Sequence, residues 1–129
     1  MSEPYIRFDR RAGMISSFDA TGTQSVLDTD AYSGAPGFQN DPTTEDLPDK
    51  GPIPAGWWSI GADTGEKGPL TLLLTPDSDT QVFGRSGFLW HGANATKDIA
   101  GMQMSSEGCI VSAHQSRAIG ATFTRLLVV

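Results

Sequence analysis

Apolar residues in this chain come in short runs, many alternating with polar ones, and each run is closed by glycine, proline or a small polar residue. That spacing is the signature of half-buried strands joined by turns, not of amphipathic helices. Tyr5 to Asp9 and Met14 to Asp19 read as two strands of a hairpin joined through Arg11-Ala12-Gly13, and Gln24 to Asp28 reads as a third strand or an edge. Ser33 to Pro54 is dense in Gly, Pro, Asn, Asp and Thr and reads as a long surface loop, a length that normally accompanies function or mobility. Trp57 to Ala62, Leu70 to Thr75 and Gly87 to His91 read as core strands, and Thr122 to Val129 closes the chain as an apolar strand. Two short helices are expected. One covers Asn94 to Ala100; the other covers Ala113 to Ile119, with Ser112 as its N-cap and Gly120 at its C-terminal end. No repeat, heptad or low-complexity tract interrupts this order. The expectation is a mainly β chain forming a single domain over residues 1–129, a sandwich or barrel with one or two short helices.

Composition narrows the chemistry. The formal net charge is −6, and the nine Lys and Arg residues are scattered, so neither nucleic acid nor an anionic membrane surface is an expected partner. No stretch approaches the roughly 18 apolar residues of a membrane span. The N-terminus, Met1-Ser2-Glu3-Pro4-Tyr5-Ile6-Arg7, has no apolar core of a secretory signal, so the chain is expected to be made in the cytoplasm without a signal peptide. One cysteine excludes an internal disulfide and any zinc site built on paired cysteines. No cofactor or metal is expected. Asp41, Glu45, Asp46 and Asp49 cluster in the long loop without the spacing of calcium ligands, and they read as a solvated acidic surface. The sequon Asn94-Ala95-Thr96 is too common a pattern to carry weight.

That leaves a few residues able to do chemistry. Cys109 follows the polar Ser106-Glu107-Gly108 and precedes Ile110-Val111, so it stands where a loop becomes a strand. A thiol there can be reached and activated, and Gly108 allows a tight bend and close approach. A base is needed to form thiolate at neutral pH, and histidine is the usual one. His91 ends the apolar run Phe88-Leu89-Trp90; His114 lies five residues after Cys109, too near in sequence to turn readily back onto the thiol. Taken singly, a lone Cys is more often a small buried hydrophobe and a lone His a satisfied core residue. Gly84-Arg85-Ser86-Gly87 lacks the spacing of a phosphate loop or nucleophile elbow, although Arg85 has the fork geometry to clamp a carboxylate.

The spacing of these residues is more specific than any one of them. From His91 to Ser106 the offset is 106 − 91 = 15, and the second element reads Ser106-Glu107-Gly108-Cys109. This resembles the signature of the L,D-transpeptidase catalytic domain, a histidine followed after about fifteen residues by Ser/Thr-x-Gly-Cys. Further stretches are similar to the small L,D-transpeptidase effectors of type VI secretion: Tyr32-Ser33-Gly34, Asn40, Lys50-Gly51-Pro52-Ile53-Pro54-Ala55-Gly56-Trp57-Trp58, and Gly84 through Gly92.

The resemblance implies an L,D-transpeptidase-like β fold and a peptidoglycan stem peptide as substrate. Cys109 would be the nucleophile and His91 the general base. Ser106 or a nearby carbonyl would orient the imidazole, and the N–H groups of Cys109 and Gly108 would hold the oxyanion. Arg85, Ser86, Trp90 and Gly92 would contact substrate. Cleavage before the terminal D-alanine gives L,D-carboxypeptidase activity, and exchange for another D-amino acid gives transpeptidation. Two positions depart from the common pattern. Glu107 stands where many members have His, so its carboxylate is expected to point away from the sulfur or to pair with a base. Val111 stands where many have an anchoring Arg, and Arg85 is expected to replace it. The resemblance further implies an antibacterial effector, delivered by the type VI secretion apparatus to the periplasm of a target cell and matched by an immunity protein in the producer. A different cysteine peptidase or amidase using Cys109 with His114, and a β-rich wall-binding module without turnover, are the alternatives.

Overall fold

In the computed structural model, residues 3–93 and 108–129 are described. One curled nine-stranded sheet carries the molecule, in the spatial order β3-β2-β1-β9-β5-β6-β7-β8-β4. The strands are β1 (Tyr5–Asp9), β2 (Met14–Phe18), β3 (Gln24–Asp28), β4 (Tyr32–Ser33), β5 (Gly56–Asp63), β6 (Leu72–Pro76), β7 (Leu89–His91), β8 (Ile110–Val111) and β9 (Arg125–Val128). One helix, α1 (His114–Gly120), and a 3₁₀ turn (Pro42–Thr44) complete the described elements. None of these helices is long and apolar enough to cross a membrane.

Alternation places the core. Ile6 and Phe8 of β1, Trp58 and Ile60 of β5, and Leu126 and Val128 of β9 turn inward, while their neighbours face out. Inside, they join Leu72, Leu74, Phe88, Trp90 and Ile110 in one cluster. The C-terminal β9 inserts between β1, to which it is parallel, and β5, to which it is antiparallel, and so closes the middle of the sheet. The hairpin, the third strand, the core strands and the last strand stand where the sequence pattern puts them, with bounds shifted by a few residues.

Two expectations change. The long loop carries the short strand β4 at its start and the 3₁₀ turn within it, and it is tied to the core instead of lying loose on the surface. Glu45 ion-pairs with the buried Arg10 at 2.5 Å, and it also accepts the Ala55 N–H at 3.1 Å. Ser112 is not the N-cap of α1. Ala113 holds that position with no side-chain cap, and the Asp28 carboxylate accepts the Ala113 N–H at 2.9 Å. Ser112 instead takes the Trp90 indole N–H at 2.7 Å and contacts Ser116 Oγ at 2.7 Å. A buried indole N–H needs an acceptor more than a helix end near solvent needs a cap. Gly120 is the last residue of α1, and a Cβ there would stand 2.3 Å from the Trp90 ring. The helix expected over Asn94 to Ala100 lies outside the described residues.

Candidate active site

β7 and β8 run parallel, with Trp90 beside Ile110 and His91 beside Val111. Alternate residues share a sheet face. Cys109, immediately ahead of β8, therefore falls on the His91 face, one diagonal step away. Trp90 falls on the other face. The consequence is visible in a cavity of about 430 Å³ lined by His91, Gly108, Cys109 and the strip Gly84 to Leu89 on one wall, with Pro48, Asp49, Glu66 and Lys67 at its rim. Cys109 is partly exposed there, and its Sγ lies 3.7 Å from the Gly87 carbonyl.

His91 is nearly enclosed, at 4% exposure, and its Nδ1 lies 2.8 Å from the Gly92 carbonyl. A carbonyl can only accept, so this contact puts the proton on Nδ1 and leaves Nε2 as the basic nitrogen. The backbone on either side is also fixed: Ser112 N–H donates to the His91 carbonyl at 3.2 Å. The carbonyl that orients the imidazole is thus supplied by Gly92. Ser106 and Glu107, the other residues assigned a part in orienting or perturbing the pair, lie outside the described residues.

The turn before Cys109 is held from two sides. Gly108 has φ +138°, a conformation open to glycine and strained for other residues. Its carbonyl accepts from the wholly buried Ser33 hydroxyl at 3.0 Å, and Ser33 Oγ in turn accepts the Ile53 N–H at 2.8 Å. Asn40 in turn locks β4, its Oδ1 accepting from Ser33 N–H at 2.9 Å and its Nδ2 donating to the Ala31 carbonyl at 3.2 Å. The separated stretches around Ser33, Asn40 and Pro52-Ile53-Pro54 therefore converge on one peptide, the one that carries Cys109. Ser33 had been noted only as part of a motif; its role needed the fold to bring it to Gly108.

On its other side Gly108 faces Arg85. A Cβ on Gly108 would stand 2.4 Å from Arg85 Nη2. The guanidinium donates to the carbonyls of Glu45 at 2.6 Å, Pro52 at 2.8 Å and Gly51 at 2.9 Å, and it lies 5.1 Å over the Phe88 ring. Burial pushes the Arg85 guanidinium below the ordinary arginine range, while the charges of Asp49, Cys109, Glu45 and Asp46 oppose that shift. Arg85 lines the cavity, but three of its roughly five N–H groups are committed to backbone carbonyls. These three bonds make it a strut between the long loop and the turn before Cys109.

A second arginine stands behind the base. Arg117, 6% exposed, donates to the Ser112 carbonyl at 3.2 Å and to those of Pro69 and Leu70 at 2.8 Å each. Its Nη2 would be 2.6 Å from a Cβ on Gly92. Burial lowers its pKa, with the Asp63 charge opposing. No sequence signal marks this residue, which sits in a short helix among polar neighbours.

The remaining expected site residues divide. Ser86 lines the cavity and is exposed. Trp90 does not: it is fully buried, bonded to Ser112 and packed against Gly120, because period-two alternation turns it away from the His91 face. Gly92 acts through its carbonyl on His91 and is not among the lining residues. His114 is exposed at the start of α1 and is not among them either. Among the described residues, no group of three or more His, Cys, Asp and Glu side chains is placed to hold a metal ion.

A family model described as the Tlde1 domain matches residues 28–127. No curated protein matches the chain in sequence. Among solved structures, the L,D-transpeptidase from Mycobacterium smegmatis is similar in fold, with a TM-score of 0.52 at 15% identity. The match covers 98% of this chain and 58% of that one, so the chain spans little more than half the length of that structural relative.

Proposed function

The chain belongs to the Tlde1 domain family, and from that premise we propose that it is a peptidoglycan-modifying cysteine enzyme of the L,D-transpeptidase kind. The observation that carries this reading is the placing of His91 and Cys109 on one sheet face and in one cavity, with the imidazole tautomer set by Gly92. His91 Nε2 takes the thiol proton as Sγ attacks the carbonyl carbon that joins the third residue of the stem to the terminal D-alanine. The carbonyl electron pair moves onto oxygen, which the Cys109 N–H is assigned to receive. Collapse of the adduct breaks the C–N bond, and the imidazolium returns its proton to the departing amine. Water, or the amine of another D-amino acid, then attacks the thioester with His91 again as base. The first route is hydrolysis and the second is exchange. Ser33 supports this chemistry by fixing the peptide that presents the nucleophile.

Family membership is the ground on which we further propose delivery as a type VI secretion effector acting in the periplasm of a target cell, with an immunity protein as its partner in the producer. The test is mass spectrometry of tetrapeptide muropeptides incubated with the protein. Loss of the terminal D-alanine is expected. It should vanish with Cys109→Ala and fall about 10²- to 10⁴-fold with His91→Ala, the range of a lost general base. Full activity in His91→Ala combined with loss in His114→Ala would transfer the base to His114. Unchanged muropeptides and unchanged target-cell lysis with Cys109→Ala would leave a wall-binding module without turnover.

A further inference from the structure

The cavity has two cations on its lining, Arg85 and Lys67, and they differ in what they already hold. Arg85 is bound by three backbone carbonyls. The Lys67 ammonium makes no hydrogen bond or ion pair with any of the described residues, although its position at the rim is fixed through the backbone. Lys67 N–H donates to the Thr71 hydroxyl at 3.1 Å, and that hydroxyl donates to the Gly68 carbonyl at 2.8 Å. The Asp63 carboxylate accepts the N–H groups of Gly65 at 2.9 Å, Leu70 at 3.1 Å and Thr71 at 2.9 Å. Arg117 adds its two bonds to Pro69 and Leu70 from behind. An exposed hairpin tip with this many backbone groups held is a platform rather than a free loop. It presents one uncommitted positive charge to a cleft whose other charged rim residues, Asp49 and Glu66, are acidic.

We infer that Lys67 is the residue that recognises the free carboxylate of the substrate's terminal D-amino acid, since its ammonium is uncommitted whereas three Arg85 N–H groups already hold backbone carbonyls. The inference rests on the function proposed above, and it adds the specificity for a free C-terminus. A lysine suits the task as a mobile point charge on a fixed backbone, reaching a carboxylate that departs with the product.

The experiment compares two tetrapeptide substrates, one ending in a carboxylate and one in the corresponding carboxamide. Binding is measured to Cys109→Ala protein, and turnover to protein with Cys109 intact. Lys67→Ala should weaken binding and raise KM about 10-fold for the acid, the scale of one charge-assisted hydrogen bond at a partly exposed site. It should change either by less than about twofold for the amide, where no charge remains to be paired. Lys67→Arg should restore most of the affinity for the acid. Equal losses on both substrates, or no loss on the acid, would overturn the inference. Absence of turnover in the Cys109-containing protein, with Lys67-dependent binding of the acid intact, would sink the proposed reaction and leave the recognition standing. If neither peptide is bound, both fail.

Discussion

The two halves of the candidate catalytic pair are backed in the same way by unrelated parts of the chain. Behind Cys109, Arg85 reaches from the loop before β7 to the carbonyls of Glu45, Gly51 and Pro52, with its Nη2 against Gly108. Behind His91, Arg117 reaches from α1 to the carbonyls of Ser112, Pro69 and Leu70, with its Nη2 against Gly92. Each guanidinium gathers carbonyls that no strand ladder uses, and each abuts a glycine whose missing side chain lets it in. They differ in depth. Arg117 is buried, whereas Arg85 is half-exposed and lines the cavity. The nucleophile side should therefore be tuned by contact with the site, and the base side by the rigidity of the fold.

The largest expected effect separates the two glycines. Gly108→Ala must take φ +138° and push back Arg85, so it displaces the nucleophile itself. A fall in kcat of about 10²-fold is expected, the cost of a misplacement on the order of 1 Å. Gly92→Ala meets Arg117 at 2.6 Å without backbone strain, so it should cost nearer 10-fold, again through positioning. Steady-state kinetics on tetrapeptide muropeptides checks both, and equal losses would erase the asymmetry.

Removing the struts should reverse the order for stability. Arg117→Met leaves three carbonyls facing a buried apolar chain and should lower Tm by about 5–10 °C in thermal unfolding. Arg85→Met lets water reach its carbonyls and should lower Tm by less than about half of that. It should nevertheless lose more kcat/KM, since a positive charge that interacts with Cys109 is gone. A variant pair in which one arginine dominates both measurements would break the comparison.

The smallest effect concerns the hairpin tip on the Arg117 side. The N–H groups of Gly65, Thr71 and Leu70 hold the Asp63 carboxyl below the ordinary aspartate value of 3.8. A carboxyl with a depressed folded pKa contributes stability that is fully present above its unfolded value and is lost as pH falls through the folded one. Amide exchange at Gly65, Leu70 and Thr71 should therefore accelerate, relative to the core, only as pH drops below about 4, near the unfolded aspartate pKa. No change in relative protection down to acid pH would show that Arg117 alone holds the tip.

Much of this was legible beforehand, because strands announce themselves by local alternation. The hairpin Tyr5 to Asp9 and Met14 to Phe18, the core strands through Trp58 and Leu74, and the closing strand through Leu126 and Val128 need no distant partner to be read. Cys109 and His91 were found by their types and spacing. The short strand β4, of two residues, carries too little pattern to be seen, and it exists only because it pairs with β8. Ser112 was read as a cap because capping is a local rule, and a buried indole from a different strand overrode it.

By itself, then, the chain's sequence determined its strand content, its acidic character and which Cys and His are candidates for a reactive pair, all properties carried by residue type and short-range period. Tertiary structure alone decided which face each residue meets. The parallel register of β7 and β8 put His91 with Cys109 and sent Trp90 to the core. The curled sheet brought Ser33 to Gly108 across a sequence separation of 75 residues. It also made Arg85 a strut, because its donors met backbone carbonyls that needed partners. A hydrogen bond between residues so far apart leaves no local mark in the chain, and it is such bonds that fix the geometry of this site.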